Sequence, residues 1–219
     1  MGVWSSLRHE NILKFTGYYI ERDFKTAYLL SPYMLNGNAQ TYLATKQSTM
    51  DERLSLLCDT MNGLNYLHNL QPPVVHGNLK AANVLINDNR RAVLSDLGLS
   101  ALTETPEVTE RPHPVSLVRW LSPELLRVRE RTTKSDVWAW GCLALELVTR
   151  DIPYLYIQNE DQIKAAMSAR RRDRLTPEAF HELDDIPDVL VQLLRRCWNF
   201  DFAQRPNAEE CMDTVSSLL

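Results

Sequence analysis

Nine consecutive residues, Val137 to Leu145, carry no charge and nothing more polar than tryptophan or cysteine. Upstream, Thr133-x-x-Asp136 reads as a helix start that caps this stretch. A helix that is apolar on nearly every side has to run through the middle of a domain, so the rest of the chain must be built around it. The run is too short to span a bilayer, which needs about 20 residues. No longer apolar run exists, and Met1 to Lys14 already mixes in Arg8, His9 and Glu10, so neither a membrane span nor a signal peptide is expected.

The rest of the chain supplies the wrapping. From Leu13 to Leu30 aromatic and aliphatic residues are broken by Glu21-Arg22-Asp23, which predicts two strands joined by a charged turn. Ser31 to Gly37, punctuated by Pro32 and Asn36-Gly37, is a connector. Thr49-x-x-Glu52 is a capping box. Beyond it Leu54, Leu57, Cys58, Met61, Leu64 and Leu67 recur at three- and four-residue steps, so a helix should run to about His68-Asn69. Val84–Ile86 and Ala92–Leu94 form a strand pair around Asn87-Asp88-Asn89, and Gly98 to Pro123 is loop-like. Further helices are expected around Ile157–Met167, from Pro187 to near Trp198, and from Asn207 to Leu218, the last capped by Asn207-x-x-Glu210. The sum is an α+β protein, mainly helical.

Composition narrows the partners. With 219 residues, 44% hydrophobic and 24% charged, the chain can bury a sizeable single core. A net charge of -4 and a pI near 5.8 argue against nucleic acid. Cys58, Cys142, Cys197 and Cys211 have no Cys-x-x-Cys spacing and the histidines are scattered, so reduced core thiols and no structural metal site are expected.

The most specific string is His76-Gly77-Asn78-Leu79-Lys80-Ala81-Ala82-Asn83, followed after the short strand pair by Asp96-Leu97-Gly98. Further on stand Trp120-Leu121-Ser122-Pro123-Glu124, then Ser135-Asp136-Val137-Trp138-Ala139-Trp140-Gly141, then Cys197-Trp198 with Gln204-Arg205-Pro206. In this order and at these intervals they resemble the signature strings of eukaryotic protein kinases: the catalytic loop H-x-D-L-K-x-x-N, the D-F-G segment, the A-P-E segment, the start of the central helix and the closing signature. The resemblance runs from about Leu7 to Leu219. It is nearest to the tyrosine-kinase-like group, particularly fungal serine/threonine kinase-like proteins that carry H-G-D-L-K.

The resemblance implies a kinase-like fold comprising the C-terminal lobe and the last two strands of the N-terminal lobe. Residues 1–35 would be the N-lobe remnant (the end of its helix, two strands and the hinge) and 36–219 the C-lobe. It implies ATP and Mg2+ as cofactors, with Asn83 and Asp96 as magnesium ligands and Lys80 meeting the transferred phosphate. The Met34 backbone and Leu85 would border the adenine. His76 would be structural, Glu124 and Arg205 would pair in the interior, and Asp136 would hold the catalytic loop's backbone. Asp and Asn also favour turns, a competing reading for Asn83 and Asp96.

Two departures matter. Asn78 stands where the family has its aspartate general base, and a carboxamide takes no proton at neutral pH. The glycine-rich loop, the strand lysine and its glutamate partner have no counterpart here. A pseudokinase or truncated kinase acting through a protein partner, cytoplasmic or nuclear, is therefore expected. The alternatives are an ATP-dependent serine/threonine kinase represented by an incomplete chain, a small-molecule phosphotransferase of the aminoglycoside or choline type, and a non-functional truncated product. Ser122-Pro123-Glu124, Asp136-Val137-Trp138 and Arg205-Pro206 together disfavour the small-molecule class. Gly77 replaces the family's usual arginine, so a phosphate on Thr103, Thr105, Thr109 or Ser116 would have less to dock on. Arg170 to Arg174 reads as a solvated helix end.

Overall fold

The computed structural model describes residues 2–22, 24–97, 115–128, 130–157, 159–169, 175–179 and 181–219. Helix α1 (Gly2–Ser6) leads into an antiparallel hairpin of β1 (Gly17–Ile20) and β2 (Ala27–Leu30). Helices α2 (Ala39–Thr45) and α3 (Met50–His68) follow, then a second antiparallel hairpin, β3 (Val84–Ile86) and β4 (Ala92–Leu94). The longer elements described beyond β4 are helices: α4 (Thr133–Thr149), α5 (Glu160–Ser168), α6 (Asp188–Cys197) and α7 (Ala208–Ser216).

Helix α4 lies where its composition demands. Every residue from Ser135 to Val148 is buried, including Trp138 and Trp140. Each large apolar side chain so placed contributes about 1.5–3 kcal/mol. Helix α3 packs against α4, α7 and β4, and α6 packs against α4 and α7. Gly141 lets α4 and the end of α6 approach, since a Cβ there would lie 2.6 Å from Trp198 Nε1. No helix among the described residues is long and apolar enough to cross a membrane.

Several sequence expectations need correction. The cap of α4 is Thr132 rather than Thr133: its hydroxyl accepts from Ser135 N–H, and Ser135 Oγ returns the contact to Thr132 N–H. Asp136 takes no part in this cap because its carboxylate reaches across to the 76–77 backbone instead. Leu13 belongs to no strand of the first hairpin; its N–H donates to Leu94 O, stitching the N-terminal segment to β4. Helix α5 begins at Glu160, not near Ile157, because Asn159 caps it by accepting from Asp161 N–H. Helix α2, capped by Asn38, falls in a stretch to which the sequence pattern assigned no element.

The four cysteines are free and buried. Cys197 and Cys211, 14 residues apart in sequence, meet with their Sγ atoms 3.9 Å apart. Positions Thr103, Thr105, Thr109 and Arg170–Arg174 lie outside the described residues, as does the side chain of Ser116.

Candidate functional site

Residues 76–83 form a loop held from below by the buried helix α4. Asp136, 1% exposed, accepts from His76 N–H at 2.7 Å through one carboxylate oxygen and from Gly77 N–H at 2.8 Å through the other. His68, at the end of α3, places Nε2 3.0 Å from Asp136 Oδ2. A carboxylate only accepts, so that nitrogen carries the proton. Nearly three turns further along α4, Glu146 accepts from Ala81 N–H at 2.9 Å and from Trp120 Nε1–H at 2.8 Å. Two acidic side chains of one apolar helix thus fix both ends of the loop.

Gly77 has φ +72°, a left-handed conformation that suits glycine and strains other residues. Within the loop His76 is fully buried, and its Nδ1 accepts from Asn78 N–H at 3.2 Å. The ring proton therefore sits on Nε2. Burial lowers the His76 pKa, with Asp136 and Asp96 opposing more weakly, so the imidazole is neutral and acts as a structural acceptor.

Asn83 and Asp96, expected to meet metal, are linked through Ser95. Asn83 Nδ2 donates to Asn78 O at 2.8 Å, so the amide nitrogen of Asn83 is committed to the loop. The Asn83 carbonyl accepts from both Ser95 N–H and Ser95 Oγ, at 2.9 and 2.8 Å. The next residue, Asp96, is exposed and left-handed with φ +59°. Asp tolerates that conformation, and such outliers gather at functional sites.

Asn83 and Asp96 offer an amide oxygen and an exposed carboxylate, the oxygen chemistry a hard cation takes. Magnesium characteristically takes one or two protein ligands and draws the rest from phosphate and water. Among the described residues no group of three or more His, Cys, Asp or Glu is arranged to hold a metal. Lys80 extends over the Trp120 ring, 5.7 Å from its centroid.

On the adenine side, Met34 O accepts from Gly37 N–H at 3.0 Å, and Gly37 O accepts from Ile86 N–H at 2.9 Å. A bridge between Asn38 and Leu85 completes the seam. Met34 and the half-buried Leu85 are thereby joined through Gly37 and Asn38. Beneath the loop a cavity of about 20 Å³, room for roughly one water, is lined in part by Gly77, Asn78, Trp120 and Asp136.

Glu124 and Arg205 lie 81 residues apart in sequence and join as a fork, with Nη1–Oε1 and Nη2–Oε2 both 2.7 Å. The family profile described as protein tyrosine and serine/threonine kinase matches residues 1–215. The chain belongs to the protein kinase family. It is 32% identical to ephrin type-A receptor 5 of Gallus gallus over 223 aligned residues, covering 99% of this chain and 21% of that receptor. Ephrin type-A receptor 3 of Danio rerio shows the same identity and coverage. A probable serine/threonine-protein kinase, pats1 of Dictyostelium discoideum, is 31% identical over 97% of this chain and 6% of its own length. The kinase-family match thus spans about a fifth or less of these relatives.

Sequence reasoning overlooked Glu146, His68 and Ser95 as builders of this kinase site. Glu146 left a signal, a carboxylate standing directly after the apolar run Val137 to Leu145. Burial lifts its pKa from 4.5 to about 7, against the pull of the Ala81 and Trp120 hydrogen bonds and of Lys80. The folded state therefore keeps a proton that the unfolded chain surrenders, and stability present below about pH 4.5 is lost as pH rises to about 7. The shift corresponds to about 3 kcal/mol. Glu146→Gln keeps an acceptor and removes the titration. Urea unfolding at about pH 5 and pH 8 should find the parent's decline absent in the variant. An equal decline in both would assign it to another group.

Proposed function

We propose that this chain is a kinase-like domain impaired in phosphoryl transfer that works through protein binding, as a C-lobe at 36–219 carrying an N-lobe remnant at 1–35. The observation that carries this reading is Asn78. It sits beside the oriented Asn83 and above the Asp136 anchor, the position at which the family resemblance expects an aspartate. Loss of a general base costs about 10²–10⁴ in rate. The carboxamide still accepts a hydrogen bond and can orient a hydroxyl, but it removes no proton.

Bound ATP with Mg2+ would supply the phosphoryl group and the charge that neutralises it. This chain's residues would do the holding. Asn83 and Asp96 would offer oxygens to the metal, Lys80 a cation, and Met34 with Leu85 a border for the base.

The second reading, an ATP-dependent serine/threonine protein kinase acting on protein hydroxyls, draws its support from the Asn83–Asp96 arrangement. The experiment that separates the two is a phosphotransfer assay with Mg2+-ATP on the purified chain, Asp96→Ala and Asn78→Asp. No transfer above the Asp96→Ala background is expected from the parent. Asn78→Asp should raise the rate by no more than about 10²–10⁴-fold. Robust parental turnover that disappears in Asp96→Ala would establish the enzyme reading instead. A thermal shift with ATP and Mg2+ reports binding separately from chemistry.

A further inference from the structure

Helix α3 ends, and helices α4 and α7 begin, around one cavity of about 190 Å³, several times what a single water needs. Thr133 and Lys134, which open α4, line it, as do Ala208 and Glu209, which open α7. The caps use the N–H groups that come next: Thr132 accepts from Ser135 and Asp136, and Asn207 accepts from Glu210 and Cys211. The N–H groups of the four lining residues meet no acceptor among the described residues. Helix starts leave such donors over, and a positive pole with them.

The side chains around the cavity agree with the helix starts. Asn65 and Asn207 have their amide oxygens committed, to Asn69 Nδ2–H and to Glu210 N–H, so each keeps its NH2 group to donate. The Lys134 ammonium gives one proton to Arg205 O at 2.6 Å and has two left. Asn69 and Glu209 oppose this as acceptors, and both are exposed.

His68 is the independent sign of a ligand. Its side chain is 7% exposed, lines the cavity and uses Nε2–H on Asp136. That leaves Nδ1 as an acceptor with no partner among the described residues. Converging N–H donors and an ammonium require an oxyanion, while the unmatched Nδ1 requires one that still carries a proton. Phosphate meets both conditions. It has oxygens for donors arriving from three helices, and near its second pKa, about 6 in a monoester, it keeps one P–OH. A carboxylate brings only two oxygens, and neither it nor sulfate brings a proton.

We propose that this cavity binds phosphate as the monoprotonated anion, free or as a small phosphomonoester. The anion sits on the starts of α4 and α7, Lys134 balances its charge, and its P–OH donates to His68 Nδ1. Its binding is independent of phosphoryl transfer at the 76–83 loop.

Amide NMR titration of the full chain at about pH 6 tests this, with inorganic phosphate, O-phosphoserine, sulfate and chloride at matched ionic strength. The Thr133, Lys134, Ala208 and Glu209 amides should shift together with inorganic phosphate and saturate with a Kd of about 1 mM. Sulfate should bind at least about tenfold more weakly, because it leaves Nδ1 unmatched. The same shifts with O-phosphoserine mark a site for phosphomonoesters, and their absence marks one for the free ion. Glu209→Gln, at an exposed position, should tighten binding about two- to fivefold, the size of a charge effect at a helix start. Thr133→Glu places a carboxylate in the cavity at a position helices favour for acids, and should weaken binding about tenfold or more. No saturable shift of these amides up to about 20 mM phosphate overturns the proposal. So does equal affinity for sulfate, or a Glu209→Gln variant indistinguishable from the parent.

Discussion

Arg205→Ala should destabilise the domain by about 3–5 kcal/mol, the range for breaking a buried ion pair from one side. The side chain is 0% exposed and every polar group on it is used. Nη1 and Nη2 grip Glu124, Nη1 also donates to Lys134 O at 2.9 Å, and Nε donates to Asn199 O at 2.8 Å. The guanidinium lies 5.0 Å from the centre of the Trp138 ring. Truncation strands two carbonyls and a carboxylate and opens a hole beside Trp138. For a chain of this length the melting temperature should fall by roughly 10 °C or more.

The same pair sets an acid limit. Burial alone would raise the Glu124 pKa, but the Arg205 hydrogen bonds and charge outweigh it and the net position is below 4.5. A depressed carboxyl contributes stability above its unfolded pKa and loses it as pH falls through the folded one. Arg205→Ala should therefore narrow its deficit at low pH, where the parent has lost the pair too. A double-mutant cycle with Glu124→Ala should show strong coupling, and simple additivity would refute the account.

What was legible in the sequence was mostly local. The Thr49–Glu52 and Asn207–Glu210 boxes each satisfy backbone donors within three residues, so spacing alone places α3 and α7. The strand pair around Asn87 was legible for the same reason: Asn87 Oδ1 accepts from Asn89 and Arg91 N–H within the turn itself. The start of α4 misled because two adjacent threonines can both cap, and the acid at the apparent third position is committed 60 residues away. Helix α2 is seven residues long with only Ala39, Tyr42 and Leu43 buried, too few for a periodic pattern.

The site divides in the same way. His76 through Asn83 could be read as a unit because the loop is contiguous. Its supports could not, since Glu146 meets Ala81 across 65 residues and His68 meets Asp136 across 68. A buried carboxylate finds its backbone donors through the fold, and no local rule announces the pairing.

Asp136→Ala is the sharpest test of that support. The substitution leaves the N–H groups of His76 and Gly77 buried or half-buried with no acceptor, and removes the partner of His68. Unsatisfied buried donors cost about 1–3 kcal/mol each, so a loss of about 3–5 kcal/mol is expected. Asp136→Asn should fall between the parent and alanine. Each carboxylate oxygen accepts from a different donor, so whichever position becomes nitrogen confronts an N–H. Hydrogen exchange gives the site-specific readout: the His76 and Gly77 amides should lose protection in both variants while α7 keeps its own, separating a slackened loop from general unfolding. An alanine variant within about 1 kcal/mol of the parent, with those two amides still protected, would mean that the loop holds its shape without α4.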